Sequence, residues 1–392
     1  MESVLAPPDP SVVERLIAAA DGTVRDTERA LADLAPETVA GVLLAELAAR
    51  LEVSGGPPAP ARVQLDLGRL GYVLALGPDG LTAKPGRMDA PWTRLRQDPA
   101  ELVRAVFGAA GDWRDATREL IVAEEPRPDA NGGSARWDDR QASVRALAAL
   151  TAACEPRTPD LTALATRCAS DKWGVHFYTP YYQRHLAPYA DQRVRVLEIG
   201  IGGYQSPEHG GASLRMWRQY FRRGLVHGLD IHDKSALERP RMRTHRGDQG
   251  DAAFLAALAD EIGPLDIVID DGSHLSGDVL ASFGVLFDRL APGGLYVIED
   301  LQTSYWPGWN GGHTDPDAPS TTVGHLKALV DGLHHRERPA ASAPTDRTVG
   351  ALHLYPNIAF VEKGLSSERA APSWLPRDTG PNGRISTPGQ GD

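Results

Sequence analysis

Four short apolar runs, each closing on acidic residues, recur through the middle of the chain. Val194-Arg195-Val196-Leu197-Glu198-Ile199-Gly200 is the first and Leu225-Val226-His227-Gly228-Leu229-Asp230 the second. Leu265-Asp266-Ile267-Val268-Ile269-Asp270-Asp271 and Gly294-Leu295-Tyr296-Val297-Ile298-Glu299-Asp300 complete the set. Runs of this length suit strands buried on both faces, as in a parallel sheet covered by helices. Between them the apolar spacing turns helical, over Leu214 to Phe221, Ala252 to Ile262 and Val279 to Leu290. The alternation predicts a doubly wound α/β sheet, whose ligands bind beyond the carboxyl ends of the strands. The acidic residues stand at those ends.

Residues 1–140 read as a separate α+β unit. Val12-Val13-Leu16-Ile17 and Val42-Leu43-Leu44-Leu47-Leu51 have helical spacing, and so does Asp98 to Phe107. Val63 to Leu67 and Tyr72 to Leu76 read as strands joined by a glycine-containing turn. Pro126 to Gly133 is a polar, turn-rich linker. Ser143 to Ala153 and Leu161 to Arg167 read as helices leading into the unit of residues 141–364. Thr179 as N-cap and Pro180 at the first helical position predict a helix carrying Tyr182 and His185. Tyr305 to Thr322, directly after the fourth strand, is a candidate lid or substrate loop. Gly350 to Tyr355 and Ile358 to Glu362 flank Pro356-Asn357 and predict an antiparallel hairpin at one sheet edge. Residues 365–392 read as a flexible tail.

Charge and composition narrow the function classes. A net charge of -11 over 392 residues, with a pI near 5.6, disfavours a general nucleic-acid binder, which needs a basic face. MESVLAPPDPS lacks the basic and apolar regions of a signal peptide, and no apolar run is long enough to cross a membrane. The expectation is a cytoplasmic protein in which Cys154 and Cys168 are ordinary thiols.

Candidate chemistry sits on the strand ends. Glu198-Ile199-Gly200-Ile201-Gly202 lets main chain approach a ligand, because glycine lacks a Cβ. A dinucleotide fingerprint needs glycine at 205, and Gln205 stands there, which disfavours a nicotinamide-dependent oxidoreductase. Asp230 suits the hydroxyls of a ribose, and Asp248-Gln249 suits an adenine-contacting turn. Asp270-Asp271 and Glu299-Asp300 would converge and repel unless a cation, a basic partner or protonation relieved them. A hard divalent ion such as Mg²⁺ is the simplest remedy. His274 follows where the next helix should begin, a position that disfavours imidazolium and suits a base. The aromatic segment Ser170 to Tyr182 could roof a ligand or simply pack.

The glycine turn, Asp230, Asp270-Asp271-Gly272-Ser273-His274 and Glu299-Asp300-Leu301-Gln302-Thr303-Ser304-Tyr305-Trp306 together resemble the metal-dependent sugar O-methyltransferases of antibiotic biosynthesis. Within that family the resemblance is to the mycinamicin-type deoxysugar 2''-O-methyltransferases and the rhamnose O-methyltransferases. It covers roughly Asp160 to Gly364. It implies a Rossmann-like class I methyltransferase sheet with an N-terminal auxiliary domain, S-adenosylmethionine as donor, Mg²⁺, and a homo-oligomer, with a tetramer favoured. By motif, Asp271, Glu299 and Asp300 would ligate the metal and His274 would take the hydroxyl proton. Glu198, Gly200, Asp230, Asp248 and Gln249 would hold the donor, with Gly202, Tyr204, Ser206 and Asp270 beside them. His176, Tyr178, Tyr305 and Trp306 would touch the acceptor. The expected reaction methylates a deoxysugar hydroxyl, the 2-hydroxyl of a rhamnose- or allose-type sugar, on a macrolide or polyketide glycoside. The rival readings are a metal-dependent methyltransferase of a catechol or other vicinal diol, and a silent nucleoside-binding subunit.

Overall fold

The computed structural model describes residues 7–54, 60–78, 80–112, 116–123, 133–155, 160–309, 315, 317–337 and 343–365. The linker expected at Pro126 to Gly133 falls outside them except for its last residue, and the expected tail falls outside except for Leu365. Among the described residues no helix is long and apolar enough to cross a membrane.

The N-terminal half is built of α1 (Pro10–Asp21), α2 (Val24–Ala32), α3 (Pro36–Ser54), β1 (Ala61–Leu67), β2 (Leu70–Gly77), β3 (Gly80–Pro85), β4 (Thr93–Gln97), α4 (Pro99–Phe107), β5 (Glu119–Val122) and α5 (Gly133–Cys154). Its five-stranded sheet runs β3-β2-β1-β4-β5, with the β1–β4 pair parallel. Asp98 caps α4 by accepting from the amides of Ala100 and Glu101, and Pro99 follows at the first turn. The structure corrects the boundary expected at residue 140. Ala142, Ala146, Leu147, Leu150, Ala153 and Cys154 of α5 are buried in the same core as β1 and β4, so the first unit packs through Cys154.

The second half holds α6 (Leu161–Cys168), α7 (Thr179–Leu186), β6 (Arg195–Ile199), α8 (Ala212–Tyr220), β7 (Leu225–Asp230), β8 (Met242–Arg246), α9 (Ala252–Ile262), β9 (Leu265–Asp270), α10 (Ser276–Leu286), β10 (Leu290–Ile298), α11 (Thr322–Leu333), β11 (Val349–Tyr355) and β12 (Ile358–Lys363). The seven strands run β11-β12-β10-β9-β6-β7-β8, and β12 alone opposes its neighbours in direction. The predicted hairpin is therefore present, with Asn357 at φ 63° in its turn. Side chains alternate between faces along each strand. Val196, Ile267, Ile269, Val297 and Phe360 pack under α6, α7 and α8. Leu197, Val268, Tyr296, Ile298 and Val361 pack under α9, α10 and α11.

A buried charge cluster joins the two halves. Glu46 of α3, with no exposed surface, meets Arg50 Nε at 2.9 Å, Arg218 Nη2 at 2.9 Å and Arg241 Nη2 at 2.7 Å. Burial alone would raise the Glu46 carboxyl, yet the three guanidiniums hold it far below the carboxylate range. Nearby, Arg50, Arg222 and Arg223 donate to the last carbonyls of α4, where the helix dipole favours cations.

Candidate active site

The turn leaving β6 forms one side of a cleft of about 640 Å³ at the carboxyl ends of the central strands. Gly200, Gly202 and Gly203 have φ of 92°, 73° and 75°, in the region that favours glycine. A Cβ on Gly200 would stand 2.0 Å from the carbonyl oxygen of Asp271, so β6 and β9 can close together only over a glycine. Asp230 braces the turn: its Oδ2 accepts from the Ile201 amide at 3.1 Å and its Oδ1 from the His232 amide at 2.9 Å. Gly200, Gly202, Tyr204, Asp230, Asp248 and Gln249 all line this cleft. Gln249 also braces the opposite wall, donating to Asp270 Oδ1 at 2.6 Å and accepting from the Ser273 amide at 2.9 Å. Ser206 stays off the cleft, half-buried, with its hydroxyl 2.7 Å from His209 Nδ1.

Asp271, His274 and Asp300 form the other side, their ligand atoms within 4.8 Å of one another. The expected convergence of Asp270 with Asp271, Glu299 and Asp300 needs correction. Asp270 points to the opposite face, where it accepts from Gln249, from Ser282 Oγ at 2.5 Å and from Tyr296 Oη at 3.0 Å. Burial pushes its carboxyl up to about 6. Period-two alternation separates Asp270 from Asp271, the successive residues at the end of β9. Glu198 takes the vacated place in the cluster but does not line the cleft; Ser213 Oγ donates to it at 2.8 Å and Trp217 Nε1 at 3.1 Å. Burial pushes the Glu198 carboxyl up to about 7.

The side chain at the centre of this cluster is Lys172, which the pattern analysis did not single out. Its Nζ has no exposed surface and lies 2.8 Å from Asp271 Oδ2, 2.6 Å from Glu299 Oε1 and 3.4 Å from Glu198 Oε1. Burial would depress this ammonium, but Asp271, Glu299 and Glu198 hold it well above the usual lysine range. The signal available was a lone lysine inside the aromatic segment. Tyr182 Oη donates to the same Glu299 oxygen. Burial and the charge of Asp271 still keep the Glu299 carboxyl well above its ordinary range, despite Lys172 and Tyr182. One ammonium faces the three carboxylates of Glu198, Asp271 and Glu299 and compensates them only in part. Oxygen donors with such an excess fit a hard divalent cation.

The aromatic segment reaches this wall. Tyr178 Oη donates to Asp300 Oδ1 at 2.8 Å, and the His176 ring stacks on Tyr178 with centroids 4.7 Å apart. His176 Nε2 is 3.7 Å from Asp300 Oδ1, and His274 Nε2 is 3.7 Å from Asp300 Oδ2. His274 lies two residues before α10, at φ 57°, with the Trp309 ring 6.3 Å away. Tyr305 and Trp306 are exposed; Trp306 packs edge-on to Trp309. Thr179 is not the N-cap expected. Tyr178 holds that position, and the Thr179 hydroxyl pairs with Thr162 Oγ1 at 2.8 Å.

Residues 13–118 match the family model described as MycE methyltransferase N-terminal. An 8-demethyl-8-alpha-L-rhamnosyl tetracenomycin-C 2'-O-methyltransferase of Streptomyces olivaceus is 45% identical over 371 residues, covering 91% of this chain and 96% of the relative. The chain belongs to the sugar O-methyltransferases of antibiotic biosynthesis. Mycinamicin VI 2''-O-methyltransferase of Micromonospora griseorubida is 44% identical, over 72% of this chain and 77% of that one. The solved structure of MycE methyltransferase from the mycinamycin biosynthetic pathway, in complex with Mg and SAH, superposes with a TM-score of 0.86 at 38% identity, covering 95% and 96% of the two chains. A second MycE structure also contains mycinamycin VI. The seven-stranded half is thus a class I methyltransferase sheet with an N-terminal unit before it, and the chain is an O-methyltransferase.

Proposed function

We propose that the chain transfers the methyl group of S-adenosylmethionine to a deoxysugar hydroxyl of a macrolide or other polyketide glycoside, with Mg²⁺ as the metal. We assign the 2-hydroxyl of a rhamnose- or allose-type sugar as acceptor; the 2'-O- and 2''-O-methyltransferase names of two relatives, one of them rhamnosyl, support the position. The observation that carries this reading is a single cleft with a glycine turn and Asp230 on one side and Asp271, His274 and Asp300 on the other. An apolar aglycone is supported by the segments that reach Asp300 and His274. They also present Val175, Phe177, Tyr305, Trp306 and Trp309 to solvent.

When bound, the donor supplies a methyl group activated by its sulfonium, and Mg²⁺ supplies the charge that makes a sugar hydroxyl acidic. Gly200 and Gly202 let main chain approach the donor, and Asp230 would hold its ribose. Asp271, Glu299 and Asp300 would hold the metal. His274 takes the proton of the acceptor hydroxyl, and Asp300, 3.7 Å from its Nε2, balances the imidazolium that results. Holding both reactants in one cleft contributes position more than chemistry.

Mass spectrometry of products from a panel of demethylated glycosides, alongside aromatic vicinal diols, tests the acceptor class. Methylation of glycosides, abolished by EDTA and restored by Mg²⁺, is expected. Turnover of diols alone would replace the sugar reading, and full activity in EDTA would remove the metal. We also propose a homo-oligomer, tetramer favoured, with contacts made by the N-terminal unit, whose β5 exposes Leu120 and Val122. A monomer mass by light scattering rejects it.

A further inference from the structure

Lys172 is a full ion-pair partner of residues assigned to the metal, yet it has no exposed surface from which to reach donor or acceptor. Its ammonium bridges Asp271 Oδ2 and Glu299 Oε1 and approaches Glu198 Oε1. One oxygen of Asp271 and one of Glu299 are thereby held on the inner side of the cluster, while Asp271 also lines the open cleft with His274 and Asp300. Buried carboxylates without a cation are strongly destabilising, so this lysine keeps the pocket intact between metal-binding events. The same positive charge opposes a divalent cation placed beside it.

We propose that Lys172 is a positioning residue that sets divalent-metal affinity: it serves as the resident cation of the acidic pocket and weakens the hold on the added one. This rests on the metal reading above. It also explains the choice of lysine, a compact point charge able to contact several carboxylates at once, where a planar guanidinium would favour paired contacts to one.

The test uses the full chain without donor or acceptor and Mn²⁺ as probe, read by electron paramagnetic resonance of the free ion and by thermal melting. Lys172→Met, purified with Mn²⁺ if required, should bind Mn²⁺ about tenfold more tightly than the unaltered chain, since a repelling charge is gone. Its melting temperature without metal should fall, and Mn²⁺ should raise it by more than in the unaltered chain. Lys172→Arg keeps the charge and should stay within about threefold of the original affinity. Equal or weaker Mn²⁺ binding by Lys172→Met overturns the proposal while leaving the metal reading in place. Tightening by Lys172→Arg to the level expected of Lys172→Met overturns it as well. If the unaltered chain binds no Mn²⁺, the metal reading itself fails and the proposal falls with it.

Discussion

Glu46→Gln is the sharpest probe of how the two halves are held together. The substitution keeps shape and one acceptor but removes the only carboxylate that contacts Arg50, Arg218 and Arg241, among the described residues, in a site with no exposure. Each guanidinium keeps neutral partners: Arg50 donates to Ala153 and Val106, Arg218 to Pro240, and Arg241 to Phe221, Gly224 and Arg218 carbonyls. The loss is therefore chiefly charge compensation, together with the hydrogen bonds that one carboxylate oxygen accepts. Breaking one buried pair costs about 3–5 kcal/mol, and the retained carbonyls prevent threefold scaling, so about 4–5 kcal/mol is expected. In thermal terms this is on the order of 10 °C at pH 7. The pH dependence has a fixed sign. Glu46 is depressed in the folded chain, so its contribution is present above the unfolded carboxyl pKa near 4.5 and fades as pH falls below that value. Urea titrations at pH 7 and pH 4 measure both effects. A deficit below about 1 kcal/mol at pH 7, or one that grows on acidification, would refute the argument.

Two further outcomes bear on catalysis. His274→Ala should lower kcat by about 10²–10⁴-fold, persisting at saturating acceptor, with donor and metal binding by calorimetry unchanged; normal turnover at saturation places the base elsewhere. Asp230→Ala should weaken S-adenosylmethionine binding by about 1.5–3 kcal/mol, because it removes charged acceptors from the ribose and from the Ile201 amide; unchanged affinity in a folded variant takes Asp230 out of the donor site.

The strands that carry the site were legible because they are buried on both faces and so read as apolar runs, and the glycine turn was legible because main-chain approach demands it. β8 was not, because Met242-Arg243-Thr244-His245-Arg246 is an edge strand whose side chains after Met242 stay half-buried or exposed and whose pattern is polar. α5 was assigned to the wrong half. Its buried alanines and leucines fix a helix face but say nothing of which sheet that face covers. β4 escaped notice for the same reason as β8, since Thr93 to Gln97 is short and polar, while β5, Glu119 to Val122, is apolar but only 4 residues long.

The acidic cluster shows where local pattern stops being informative. Alternation along a strand could have told that Asp270 and Asp271 face opposite sides, but the choice between them depends on what covers each face. Ser282 and Tyr296 supply hydroxyls on the side of α10, so Asp270 is hydrogen-bonded there; α6, α7 and α8 cover the other side, where Glu198, Asp271 and Glu299 meet. Their relief comes from Lys172, separated by 99 residues from Asp271 and 127 from Glu299. A repulsion among carboxylates can be inferred from sequence, because the charges and the strand ends are visible there. The identity of the cation cannot, because an ammonium from a distant segment and a divalent ion meet the same electrostatic demand. Here the two demands are met in different places: the inner oxygens are taken by the ammonium, and the carboxylates of Asp271 and Asp300 line the open cleft. The candidate metal site is thus bordered by an ammonium outside it, a charge that no ligand motif contains.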